Sequence, residues 1–147
     1  MNTNKSWIMK NQKSALPASN TLLLRLFGND YLFVKRAFEA ELKYISESCQ
    51  VKEWQYIILN DGGFFIRPKG EYFLKLDVDG FSELVSSHAA GVVCCLNVYK
   101  SLIFLDRFRL HYLLLSEYSK GLNESNVIDL LTGVRDRFFQ VNSSLKI

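Results

Sequence analysis

From Ala89 to Phe104 only Gly91, Asn97, Lys100 and Ser101 interrupt a run of apolar residues. On a helix, Asn97, Lys100 and Ser101 fall at i, i+3 and i+4 and gather into one narrow polar seam. The rest of the circumference is apolar, unlike a surface helix with a single apolar stripe. The stretch Ser87 to Phe104 therefore predicts a central helix enclosed by neighbours on most sides. Ser86 and Ser87 supply hydroxyls that cap its first turn.

The flanking patterns predict what encloses it. Leu22 to Phe27 is an apolar stretch that stops at Gly28-Asn29-Asp30, a turn or cap signal. From Tyr31 to Ser48, Phe33, Val34, Ala37, Phe38, Leu42 and Ile45 recur at helical spacing, with Lys35, Arg36, Glu39 and Lys43 on the other face. After Ser48 the period drops to two: Trp54, Tyr56 and Ile58 alternate with Gln55, Ile57 and Leu59, a strand. Asn60-Asp61-Gly62-Gly63 follows as a hairpin turn, since these residue types tolerate positive φ. Phe64 to Arg67 reads as the return strand, stopped by Pro68. A turn at Lys69-Gly70 leads to a third strand, Glu71 to Val78, closed by Asp79-Gly80.

Beyond the central stretch, Arg107 to Ser119 has helical spacing, with Phe108, Tyr112, Leu115 and Tyr118 or Leu114 on the buried side and Gly121 as a stop. Asn123 to Asn126 starts a last helix through Val127, Ile128, Leu131, Val134 and Phe138. These elements predict an α+β fold: a three-stranded antiparallel meander packed with about four helices around a buried central helix. Residues 21–140 form its single domain. Residues 1–20, with Lys5, Lys10 and Lys13 and no acid, read as a flexible basic arm, and residues 141–147 as a loose tail.

Composition narrows the function classes. At 147 residues the chain is long enough for one domain whose core needs no metal or disulfide. A net charge of +3 is far from the excess of a typical DNA-binding domain and is the wrong sign for an acidic DNA mimic. No apolar run free of charge reaches membrane-spanning length, and the N-terminus has no signal-peptide core, so a cytoplasmic protein is expected. Cys49, Cys94 and Cys95 cannot all pair internally and read as small buried hydrophobes.

Candidate chemistry is sparse. His88 sits in the first turn of the central helix and His111 in the helix after it. Neither has a Cys, Asp or Glu partner at a ligand spacing, so no metal and no cofactor are expected. No P-loop, GxGxxG or Gly-x-Ser-x-Gly motif occurs. Asp77 with Asp79, and Asp129 with Asp136, read as turn and solvated helix charges. The residues themselves describe a compact binding or interaction domain and not an enzyme.

The run WQYIILNDGGFFIRP from Trp54 to Pro68, then Asp79-Gly80-Phe81, then SHAAGVVCCL from Ser87 to Leu96, resembles the ArdB/KlcA antirestriction family. Leu113 to Ser119 and Ile128 to Asp136 are similar to its two closing segments. The chain departs from the family pattern at Cys49-Gln50-Val51-Lys52, where Tyr-x-Gly-Gly is usual, at Arg135, where Ile is usual, and at the turn, where either Asn60 or Asp61 matches the family asparagine. The resemblance covers residues 54–136.

This resemblance implies a small protein of plasmids or prophages that relieves host type I restriction of incoming DNA without being an enzyme or a DNA mimic. The implied partner is a restriction-modification or other defence protein of the host, met directly or indirectly. Asn60, Asp61, Gly62 and Gly63 of the turn, His88 at the start of the central helix, and Asp136 are the expected partner-binding residues. Turn and cap chemistry alone is the competing explanation for the same residues. The alternative function is a small nucleic-acid-binding accessory protein using the basic arm with Arg107, Arg109, Arg135 and Arg137.

Overall fold

The computed structural model describes residues 13–17, 20–46, 51–78 and 80–133. Helix α1 (Asn20–Phe27) runs through a short 3-10 turn (Gly28–Asp30) into helix α2 (Tyr31–Ile45). Strands β1 (Lys13–Pro17), β2 (Trp54–Leu59) and β3 (Phe64–Pro68) form one antiparallel sheet in that order. Strands β4 (Phe73–Val78) and β5 (Phe81–Ser86) form a second. Helices α3 (Ser87–Ser101) and α4 (Asp106–Ser119) follow, and residues 125–133 are helical as α5. The fold is α+β. Among these residues no helix is long and apolar enough to cross a membrane.

The expected three-stranded meander is replaced by two sheets. β2 and β3 pair as a hairpin, Ile58 opposite Phe64 and Gln55 opposite Arg67. β4 leaves that sheet and pairs with β5, from Phe73 opposite Ser86 to Val78 opposite Phe81. The free edge of β2 is taken by β1, Lys13 opposite Leu59 through Pro17 opposite Gln55. That segment lies inside the stretch assigned to a flexible arm. The reason is that alternation marks a strand and its faces but not its partner. β5 went unseen because only Val85 of its six residues is fully buried, leaving no regular pattern. Residues 1–12, Cys49, Asp79, and Val134, Arg135, Asp136, Arg137 and Phe138 with the tail 141–147 lie outside the described residues.

Helix α3 packs against β3, both strands of the second sheet, α2 and α4. Twelve of its fifteen residues are buried, which is what its nearly all-round apolar surface requires. Ser86 caps it: its Oγ accepts from the Ala89 N–H at 3.0 Å. The helix stops at Ser101 and not at Phe104. The Leu102 and Ile103 amides turn back to Tyr99 and Lys100 carbonyls, and Leu105 to Leu102, so these residues form a tight turn before α4.

Three contacts along one face tie α3 to β3. Gly91 lies against the backbone of Ile66 and Arg67. One turn later the Cys95 Sγ accepts from the Ile66 N–H at 3.4 Å. One turn beyond that, the Tyr99 hydroxyl donates to the Phe64 carbonyl at 2.7 Å. On an adjacent side the Cys94 thiol donates to the Phe38 carbonyl of α2. The core is closed by an aromatic cluster of Phe27, Phe38, Phe64, Tyr99 and Phe108. Each fully buried phenylalanine there contributes roughly 1.5–3 kcal/mol.

Candidate functional site

The β2–β3 turn is built by its own residue types. The Gly62 N–H donates to the Leu59 carbonyl at 3.0 Å and the Leu59 N–H to the Gly63 carbonyl at 2.8 Å. Asp61 Oδ1 accepts from the Gly63 N–H at 3.0 Å, an Asx turn that fixes the tip. Gly62 has φ +94°, a conformation that side chains resist. Gly63 is buried, and a Cβ there would stand 2.9 Å from Leu59 Cδ1 and 3.1 Å from Leu114 Cβ. The tip therefore rests on α4, with Asn60, Asp61 and Gly62 exposed.

His88 projects from the first turn of α3 between β3 and the end of α4. Its Nδ1 is 2.8 Å from Arg67 Nη1 and its Nε2 is 2.8 Å from the Tyr118 hydroxyl. A guanidinium has donors and no acceptor, so Nδ1 must accept and the proton sits on Nε2, which donates to the Tyr118 oxygen. Arg67 in turn donates through Nε and Nη2 to Gln55 Oε1, across the β2–β3 register pair, at 2.8 and 2.6 Å. Phe65 closes the group edge-on to His88, with centroids 5.1 Å apart, and packs against Tyr118. Burial raises the pKa of the Tyr118 phenol, with Arg67 pulling the other way.

The expected residues other than Asp136 thus occupy two stations on one seam. Leu114 of α4 meets Gly63, and Tyr118, one helical turn later, meets His88 and Phe65. β3 connects the same stations, starting just after Gly63 and carrying Arg67. A third polar contact adjoins the second station: the Glu124 carboxylate accepts from the backbone N–H of Ser86 at 2.9 Å and from its hydroxyl. It ties the start of α3 to the turn before α5.

Sequence reasoning missed Arg67, Gln55 and Glu124 as members of this group and placed Tyr118 only on a buried face. Cross-strand register decides which strand residue meets which, and a single chain read in order carries no trace of it. Among the described residues no group of three or more His, Cys, Asp or Glu side chains is placed to hold a metal ion. The arrangement is an exposed turn at one end of the β2–β3 hairpin and a hydrogen-bonded chain, Gln55–Arg67–His88–Tyr118, toward the other.

The Antirestriction protein family model matches residues 47–131, more than half of the chain. YubI of Escherichia coli (strain K12), described as antirestriction, is 33% identical over 69 residues, 46% of this chain and 49% of YubI, so the match spans about half of that relative. A solved structure is similar over 84% of this chain and 96% of its own, with a TM-score of 0.67 and 22% identity. It is described as showing that the KlcA and ArdB proteins have a novel fold and antirestriction activity against Type I DNA restriction systems in vivo but not in vitro. At that identity the likeness is one of fold. The matched segment holds the β2–β3 turn, Arg67, His88, Tyr118 and Glu124, and with it this chain belongs to the antirestriction protein family.

Proposed function

We propose that this chain relieves type I restriction of incoming DNA by engaging a protein of the host restriction machinery, without turning over a substrate. Family membership is the observation that carries this reading. KlcA and ArdB are described as acting against Type I DNA restriction systems, and we extend that target to this chain.

The contact surface we assign is the seam along α4. Asn60 and Asp61 offer polar groups at the exposed tip, Gly62 and Gly63 set its shape, and His88 is held in place by Arg67 and Tyr118. Asp136, outside the described residues, completes the proposed set. One observation favours binding over catalysis: Arg67 and both ring nitrogens of His88 are engaged within the Gln55–Arg67–His88–Tyr118 chain of hydrogen bonds.

The nucleic-acid alternative is less well supported. Of the cations it would use, Arg107 donates to the Phe27 carbonyl and Arg109 pairs with Asp106, while Lys5, Lys10, Arg135 and Arg137 lie outside the described residues. Phosphate binding draws on a stripe of available cations.

The test is the plating efficiency of unmodified phage on cells with an active type I system, with and without the chain. A rise in plating is expected, falling back when Asp61→Ala is introduced into a protein that still folds. No rise, with the protein present in the soluble fraction, overturns the proposal.

A further inference from the structure

Between the outer faces of α2 and α3 runs a groove of about 440 Å³, lined by Phe33, Ala37, Ala40, Tyr44, Val98 and Leu102 among others. Its α2 wall is an apolar stripe beside the buried one. Phe33 belongs to the helical apolar pattern yet is 59% exposed, and Tyr44 is 69% exposed. The small side chains of Ala37 and Ala40 leave the space between them. Directly after Leu102 the chain continues as Ile103-Phe104-Leu105, uncharged and turned outward, with Phe104 72% exposed. An apolar hole and an apolar knob thus lie side by side on one surface.

We propose that this surface is a two-fold interface between two copies of this chain, Phe104 of each copy seated in the groove of the other. A two-fold contact uses the same patch on both copies, so it needs knob and hole together on that patch. Adjacency in the chain, from Leu102 in the groove wall to Phe104, supplies this. The area is sufficient. Two exposed aromatic rings on the groove, Phe104 and its two neighbours offer on the order of 500 Å² per copy, given that an aromatic side chain buries about 150–250 Å². Two copies then reach roughly 1,000 Å², the size at which specific interfaces begin.

Sedimentation equilibrium of the full chain over a wide concentration range tests this. A reversible monomer–dimer equilibrium is expected. Phe104→Asp removes the knob and Ala40→Arg blocks the hole. Both positions are exposed, so circular dichroism stays unchanged while each dissociation constant rises by roughly 100-fold or more, as for loss of a central aromatic anchor. An equimolar mixture of the two variants retains one intact exchange and associates measurably where neither does alone. A wild type that stays monomeric throughout, a dimer that survives either substitution, or a mixture that fails to associate overturns the proposal.

Discussion

A Cβ on Gly91 of α3 would stand 2.3 Å from the carbonyl oxygen of Ile66 on β3, and 2.8 Å from the Arg67 Cα. Both obstacles are strand backbone, held in the β2–β3 ladder, and cannot swing aside as a side chain would. In an open helix, Gly→Ala stabilises by about 1 kcal/mol. Here overpacking, typically about 1–3 kcal/mol and larger against fixed backbone, outweighs that gain. Gly91→Ala is therefore expected to lower stability by about 2 kcal/mol net. Urea denaturation measures it, and a stabilised variant would show that α3 does not pack this closely.

The His88 network makes a prediction about one proton. With Arg67 donating to Nδ1, the imidazole holds its hydrogen on Nε2, which long-range ¹⁵N–¹H correlation spectra read directly. Tyr118→Phe removes the acceptor and costs about 1 kcal/mol. A double-mutant cycle with His88→Ala should give a coupling of about 0.5–1.5 kcal/mol. Additive effects would mean that the two side chains do not bond.

The turn glycines should fail for different reasons. Gly62→Ala meets nothing within 4 Å but is forced into φ +94°, costing on the order of 1–2 kcal/mol. Gly63→Ala has ordinary φ and instead drives its methyl into Leu59 and Leu114. Only the second should be relieved by trimming a neighbour, Leu59→Ala, in the same chain. Equilibrium unfolding of both glycine variants, and of Gly63→Ala combined with Leu59→Ala, decides.

His111 predicts a pH dependence. It is buried with its Nδ1 unpaired, stacked against Tyr99 and beside Phe27. Burial first, and Arg107 second, lower its pKa. Above the unfolded value of about 6.5 the ring is neutral in both states and its contribution is intact. As pH falls below that value the unfolded chain takes up a proton that the folded chain resists, so stability falls until the folded pKa is passed. His111→Phe, which keeps the stacking, should flatten the loss of urea midpoint from about pH 7 to about pH 5. An unchanged slope would place the titrating group elsewhere.

Asn97 carries an unpaired acceptor. Its Nδ2 donates to Glu41 at 3.1 Å, which orients the amide and leaves Oδ1 buried without a donor. An unsatisfied buried group costs about 1–3 kcal/mol, and a leucine removes it together with a bond to a carboxylate that stays partly exposed to water. Asn97→Leu should raise the melting temperature, whereas Asn97→Asp, a second carboxylate beside Glu41, should lower it. A destabilised leucine variant would show that the acceptor is satisfied.

Much of this was already written in the order of residues. The start of α2 at Tyr31, though not its end at Ile45 in place of Ser48, the turn at Asn60–Gly63, the cap at Ser86 and the demand of Ser87–Tyr99 for cover follow from periodicity and side-chain chemistry, which act over a few residues. The ArdB/KlcA resemblance rests on the same local runs. Which strand lies beside which was decided only in three dimensions, because hydrogen-bonding edges are chemically alike and choose partners by what else must be buried. So β1 joined β2, β4 left for β5, and the meander did not form. The same cause hid the companions of His88: Arg67 and Tyr118 are 21 and 30 residues away in sequence and are brought to its two nitrogens by the packing of β3 and α4 on α3.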